Sequence, residues 1–160
     1  MAAFEQAARP LNALIATGDD TMKFLPLIDQ PLKSEDVIEI LDFHDMEVIY
    51  EFDRLFEGTE DQYQSRSVKD GFEFIFDAAQ LLATVFLYIK PRGAFAAVDA
   101  ESIDVPVYPS LEAAREAFER DRYATKQGDG WIKALADGVW RHYEFRDGQL
   151  SMIALMCDRV

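Results

Sequence analysis

Gly71-Phe72-Glu73-Phe74-Ile75-Phe76 and, after four intervening residues, Leu81-Leu82-Ala83-Thr84-Val85-Phe86-Leu87-Tyr88-Ile89 carry the strongest β signal in the chain. Aromatic and β-branched side chains suit a pleated, half-buried surface, so the pair predicts an antiparallel hairpin turning around Asp77 to Ala79. Side chains leave a strand on alternate faces, and each arm therefore offers an apolar side that needs cover. Lys90-Pro91-Arg92-Gly93 ends the hairpin, and Ala94 to Ile103 reads as a connection.

Upstream of the hairpin, Tyr63 to Val68 and Val48-Ile49-Tyr50-Glu51-Phe52 read as further strands, separated by an acidic loop from Phe56 to Asp61. Before them, Ser34 to Leu41 predicts a helix. Ser34 stands at the N-cap, Glu35 and Asp36 occupy the first turn, and Val37, Ile38 and Leu41 are taken as the apolar face. A first helix is expected from Ala3 to Ala16, started or kinked by Pro10, with Gly18-Asp19-Asp20 as a break.

Downstream, the order recurs. Val105-Pro106-Val107-Tyr108 echoes Leu25-Pro26-Leu27-Ile28, and Ser110 to Phe118 echoes the Ser34 helix, with Leu111, Ala114 and Phe118 at helical spacing. A Gly-rich loop and Trp131 follow. Gly138 to Phe145 then turns at Asp147-Gly148 into Gln149 to Met156, and Phe76, Gln80 and Leu81 recur as Phe145, Gln149 and Leu150. The expectation is an α+β fold: an antiparallel sheet with helices on one face, in one domain spanning 1–160. Two tandem helix-plus-strands repeats, 25–89 and 105–157, are the reading of the recurrence, with chance similarity as the alternative.

With 160 residues, 49% of them hydrophobic, the chain can bury a sizeable core without staples. Its single cysteine, Cys157, leaves no internal disulfide, and the opening residues lack the basic start and long apolar run of a secretory signal. No stretch approaches the length of a membrane-spanning helix, so a cytoplasmic location is expected. Thirty acids against sixteen bases give a formal charge of −14, which repels phosphate backbones and anionic lipid. Nucleic acid and membrane are therefore excluded as expected partners.

The surplus is unevenly placed. From Glu35 to Asp61 there are eleven acids and one base, Arg54, a net of −10, whereas Glu112 to Arg146 holds seven of each. Like charges at close spacing cost folding free energy, so solubility alone does not call for such a run.

Catalytic patterns are absent from the sequence. His44, in Asp42-Phe43-His44-Asp45, matches no metal-ligand spacing and reads as a surface histidine at a helix end, while His142 reads as a sheet-face side chain. Cys157 follows an apolar strand with no base nearby, no serine stands in a nucleophile elbow, and Gly128-Asp129-Gly130 lacks the lysine of a phosphate loop. Neither an enzyme nor a cofactor or metal site is expected; a metal-dependent enzyme using the acidic segment is the weakest reading.

Acids, aromatics and a turn coincide between Asp45 and Tyr63. Charge steers encounter and desolvated aromatics hold a complex, so Asp45, Glu47, Asp53, Glu57, Glu60, Asp61 and Tyr63 are the candidate partner-binding residues. The competing explanation is a solvated connection with Phe52 and Phe56 turned inward. From Leu25 to Met156 the chain resembles small acidic bacterial immunity proteins of polymorphic toxin systems. The resemblance lies in the helix after Leu-Pro-Leu-Ile, the Gly71 to Phe76 hairpin and the Val139-Trp140 to Met156 ending. It implies inhibition of a toxin by tight binding without turnover, and the acidic segment would complement the basic cleft of a toxin domain in the cytosol, such as a nuclease or a toxin of nucleotide cofactors. The alternative is a structural or adaptor domain that self-associates or joins another protein, with Leu81 to Ile89 at an open sheet edge.

Overall fold

The computed structural model describes residues 21–52, 58 and 60–159. The expected helix at Ala3 to Ala16 lies outside these residues, as do Asp53, Phe56 and Glu57. Among the described residues two α-helices, α1 (Glu35–Phe43) and α2 (Leu111–Arg120), accompany eight strands. The strands are β1 (Val48–Glu51), β2 (Gln62–Ser67), β3 (Phe72–Phe76), β4 (Leu82–Tyr88), β5 (Ala124–Gly128), β6 (Trp131–Ala136), β7 (Val139–Arg146) and β8 (Gln149–Cys157). They form one antiparallel sheet in the order β1-β2-β3-β4-β8-β7-β6-β5. The α+β architecture expected from the sequence is therefore present.

Each half of the chain runs helix, then four strands as a meander, and the halves join where β4 pairs antiparallel with β8. Both helices start and stop by the same chemistry. Ser34 Oγ accepts from the Val37 amide and Ser110 Oγ from the Ala113 amide, satisfying one orphan donor in each first turn. At the far ends, Asp45 and Arg122 take positive φ of 54° and 61°. The next amides, of Met46 and Tyr123, reach back to the carbonyls of Leu41 and Phe118. These are Schellman turns. A register shift also falls at Ile75/Phe76 in one half and Glu144/Phe145 in the other. The proline segments differ: Leu25–Leu27 is a short 3-10 turn, whereas 105–108 forms no regular element.

One hydrophobic cluster unites the halves on one sheet face. Phe72, Phe74, Phe76, Val85, Leu87, Ile132, Tyr143, Ile153 and Leu155 are buried there with Val37, Ile40 and Leu41 of α1 and Ala114 and Phe118 of α2. The Phe72, Phe74 and Phe76 rings form a row, and Phe24 packs edge-on against the first two. On the opposite face, Phe95 from the connection after β4 covers Tyr88, so that face is only partly closed.

Four expectations need correction. The buried face of α1 is Val37, Ile40 and Leu41, with Ile38 left 41% exposed, because a 3.6-residue period carries Ile38 away from its neighbour. His44 completes that stripe and is buried, not a surface residue: its Nδ1 lies 2.6 Å from Asp70 Oδ2, and its ring packs edge-on against Phe72. The region after α2 is not a Gly-rich loop but the β5–β6 hairpin, with Gly128 ending β5. Its alternation rests on small residues, Ala134 and Ala136 beside Ile132, which weakens the sequence signal. Finally, Leu82–Tyr88 is the middle of the sheet, flanked by β3 and β8, and offers no open edge.

Candidate functional site

The sheet ends at β1 and β5, and these two edges differ in chemistry. β1 is aimed by what precedes it. The Schellman turn at Asp45 reverses the chain after α1, Met46 is buried, and the Glu47 carbonyl accepts from Ser65 Oγ at 2.7 Å, fixing the start of the strand on β2. Val48 then pairs with Ser65 and Tyr50 with Tyr63, in line with Phe74 and Phe76 of β3, so Val48 and Tyr50 belong to the helix-covered side of the sheet. The helices do not reach that far. Val48, Ile49, Tyr50 and Phe52 are 40%, 49%, 49% and 51% exposed, and Ile38 and Phe43 of α1 add further exposed apolar surface.

The aromatic residues of this edge order one another. Tyr50 stacks between Tyr63 and Phe52, at centroid distances of 4.9 and 5.7 Å, and its hydroxyl donates to Asp61 Oδ2 at 2.7 Å. That hydrogen bond, followed by partial burial and the Asp61 charge, raises the Tyr50 pKa above the usual tyrosine value. On the other side of the strand, Glu51 accepts from Gln62 at 3.0 Å and Gln64 at 2.6 Å. Glu51, Phe52, Glu60 and Gln62 line a shallow hollow at the strand's end.

Of the residues singled out from the sequence, Asp45, Glu47 and Glu60 are exposed, and Asp61 and Tyr63 are half-buried in the contacts just described. Tyr63 is chiefly a sheet residue, its hydroxyl accepting from Gln80 at 3.4 Å. Asp53 and Glu57 lie outside the described residues. Sequence reasoning missed Ile38, Phe43, Val48, Ile49, Tyr50 and Glu51. Their exposure follows from β1 being an edge strand, and no local pattern announces that.

The acids extend along α1 as Glu35, Asp36, Glu39 and Asp42, opposite its buried stripe, and continue through Asp45 and Glu47 onto β1. Among the described residues no ion pair reaches any of these six, nor Glu51 or Glu60. In the second half three acids are paired: Glu112 with Arg115, Asp121 with Arg120, and Glu144 with Arg146 and with Arg92 from the connection after β4.

Other chemistry-bearing residues have structural explanations. Cys157 is a free, fully buried thiol in the common core. His142 stacks on Trp131 at 5.3 Å, and burial, opposed in part by the Glu144 charge, lowers its pKa. Among the described residues no three His, Cys, Asp or Glu side chains are grouped to hold a metal ion, and no helix is long and apolar enough to cross a membrane. Comparisons with protein-family models, curated proteins and solved structures give no match.

Proposed function

We propose that the protein is an immunity-type inhibitor, without catalytic activity, that binds and blocks a basic toxin effector domain in the cytosol. The observation that carries the reading is the coincidence, on α1 and β1, of carboxylates that have no ion pair among the described residues with exposed apolar and aromatic surface. Carboxylates that no cation neutralises keep their field for an incoming one. Close opposite charges across an interface couple by about 1.5–7 kcal/mol, against about 0–1 for scattered surface pairs. Steering of this kind raises association toward about 10⁸–10⁹ M⁻¹s⁻¹ at low salt. Val48, Tyr50 and Phe52 would supply the desolvated contacts that slow dissociation.

The helix termini add support. Asp42 stands in the last turn of α1, where the helix dipole disfavours an acid, and no basic residue accompanies it. The last turn of α2 also holds an acid, Glu119, but there Arg120, the favoured sign, stands beside it. An acid kept against the dipole is better explained by a partner than by folding.

The test is co-expression with the C-terminal domain of a large neighbouring open reading frame. The protein should protect growth against that domain, and the triple variant Asp45→Lys, Glu47→Lys, Glu60→Lys should bind it more slowly and with a shallower salt dependence. Absence of protection by the wild type would sink the reading. Unchanged association kinetics in the triple variant would move the interface elsewhere on the molecule.

A further inference from the structure

We infer that the partner engages β1 by adding a strand to the sheet, and that this strand is amphipathic, basic on one face and apolar on the other. The inference rests on the inhibitor reading above but specifies the form of its ligand.

β1 is the first strand of the sheet, and no described residue pairs with its outer edge. An edge strand presents unpaired backbone donors and acceptors, a template that proteins usually blunt with lysine, proline, bulges or polar composition. The opposite edge is blunted in this way: β5 reads Ala124-Thr125-Lys126-Gln127-Gly128 and is followed at once by a turn. β1 reads Val48-Ile49-Tyr50-Glu51 and pairs with β2 in unbroken register, with no lysine, proline or bulge. Among the described residues nothing occupies its outer backbone, which suits strand addition, in which main-chain hydrogen bonds supply affinity and alternate side chains supply specificity.

Alternation defines the ligand. Val48, Tyr50 and Phe52 share one side of the strand, and Glu47, Ile49 and Glu51 the other. Cross-strand neighbours interact directly, so the added strand should set apolar residues beside the first group and Lys or Arg beside Glu47 and Glu51. The same charges disfavour a second copy. Pairing β1 with itself would bring two carboxylate-bearing edges together, each backed by the acids of α1, and like charges across strands destabilise.

Synthetic peptides about nine residues long, within the usual range for a strand, test this on the full chain. One alternates arginine with valine, a second is the same peptide N-methylated at alternate backbone amides, and a third replaces arginine by glutamate. Fluorescence anisotropy should show binding of the first, with the methylated and acidic peptides weaker by about tenfold or more, a difference of about 1.4 kcal/mol. The variant Glu47→Lys, Glu51→Lys should exchange the preference and take the acidic peptide. Equal binding of the methylated and unmethylated basic peptides would overturn strand addition while leaving an acidic docking surface intact. No binding of the basic peptide would overturn the inference, and the growth-protection test would then decide the inhibitor reading by itself. A dimer that the basic peptide dissociates would make a second copy the natural occupant, and would overturn the choice of partner.

Discussion

The two halves of this protein share a plan and part company at their edges. In the first, α1 and the meander β1–β4 end the sheet in an apolar strand bordered by acids that have no ion pair among the described residues. In the second, α2 and β5–β8 end it in a polar strand, with Lys126 and Lys133 lying over the Trp140 ring and with Glu112 and Asp121 paired to nearby arginines. Capping, helix termination and the hairpin irregularity correspond between the halves, so the scaffold does not require the difference. What distinguishes the first half is surface chemistry that folding alone does not favour.

The strongest way to break the comparison is to show that the halves fold separately. Phe74 and Ile132 are each fully buried in the shared cluster. Phe74→Ala should cost about 3–5 kcal/mol and Ile132→Ala about 2–5 kcal/mol, both shifting one common denaturant transition. Two transitions, each sensitive to only one variant, would mean two cores.

Next in size is a pair of glycines that precede corresponding strands. Gly71, before β3, has φ +78°, and a Cβ there would meet the Val98 amide nitrogen and the Ala96 carbonyl oxygen at 2.4 and 2.5 Å. Gly138, before β7, has φ +79° and open space around it. Gly138→Ala should cost only the left-handed strain of about 1–2 kcal/mol. Gly71→Ala should add overpacking of about 1–3 kcal/mol, because the obstacle is backbone. Equal thermal shifts in the two variants would show that the chain after β4 does not press on the first half.

A smaller difference concerns how α1 is tied down. Burial pushes the Asp70 carboxyl up, but hydrogen bonds from His44 and Ser67 and the His44 charge outweigh it and hold the pKa below the usual carboxylate value. The sign follows from proton binding. A depressed folded pKa contributes stability that is present above about pH 4 and lost as pH falls through the folded value. Asp70→Asn should therefore cost on the order of 1 kcal/mol at neutral pH, reduced by solvent screening of the partly exposed carboxylate, and should flatten the stability profile below about pH 4. An unchanged acid limb in urea titrations would show that the pair does not hold α1.

The smallest effects carry opposite signs. Asp42→Asn should stabilise α1 by about 0.3–1 kcal/mol by removing an acid from the negative end of the helix dipole. Arg120→Gln in α2 should destabilise by a similar amount, of the order of 0.5 kcal/mol. Loss of stability in the Asp42 variant would remove one argument that this acid serves a partner.

Some of this was legible without coordinates. The Gly71 to Ile89 hairpin, the Ser34 N-cap, the strand at Val48 and the burial of Cys157 follow from local composition and alternation, since each rests on residues adjacent in the chain. The β5–β6 hairpin escaped because its inward positions are mostly alanine and its edge strand is polar. The burial of His44 is not legible locally because its partner, Asp70, lies 26 residues away.

By itself, then, the sequence determined the class of fold, the overall acidity and the segment in which charge concentrates, all properties of composition and short-range periodicity. Only the tertiary structure decided that Leu82–Tyr88 lies at the centre of the sheet and Val48–Glu51 at its margin. It alone left the acids of α1 without an ion pair among the described residues, while Glu112, Asp121 and Glu144 of the second half have one. The physical reason is that strand order and ion pairing are set by long-range closure of one common core, and a strand's residues read the same whether a neighbour covers one side of it or both.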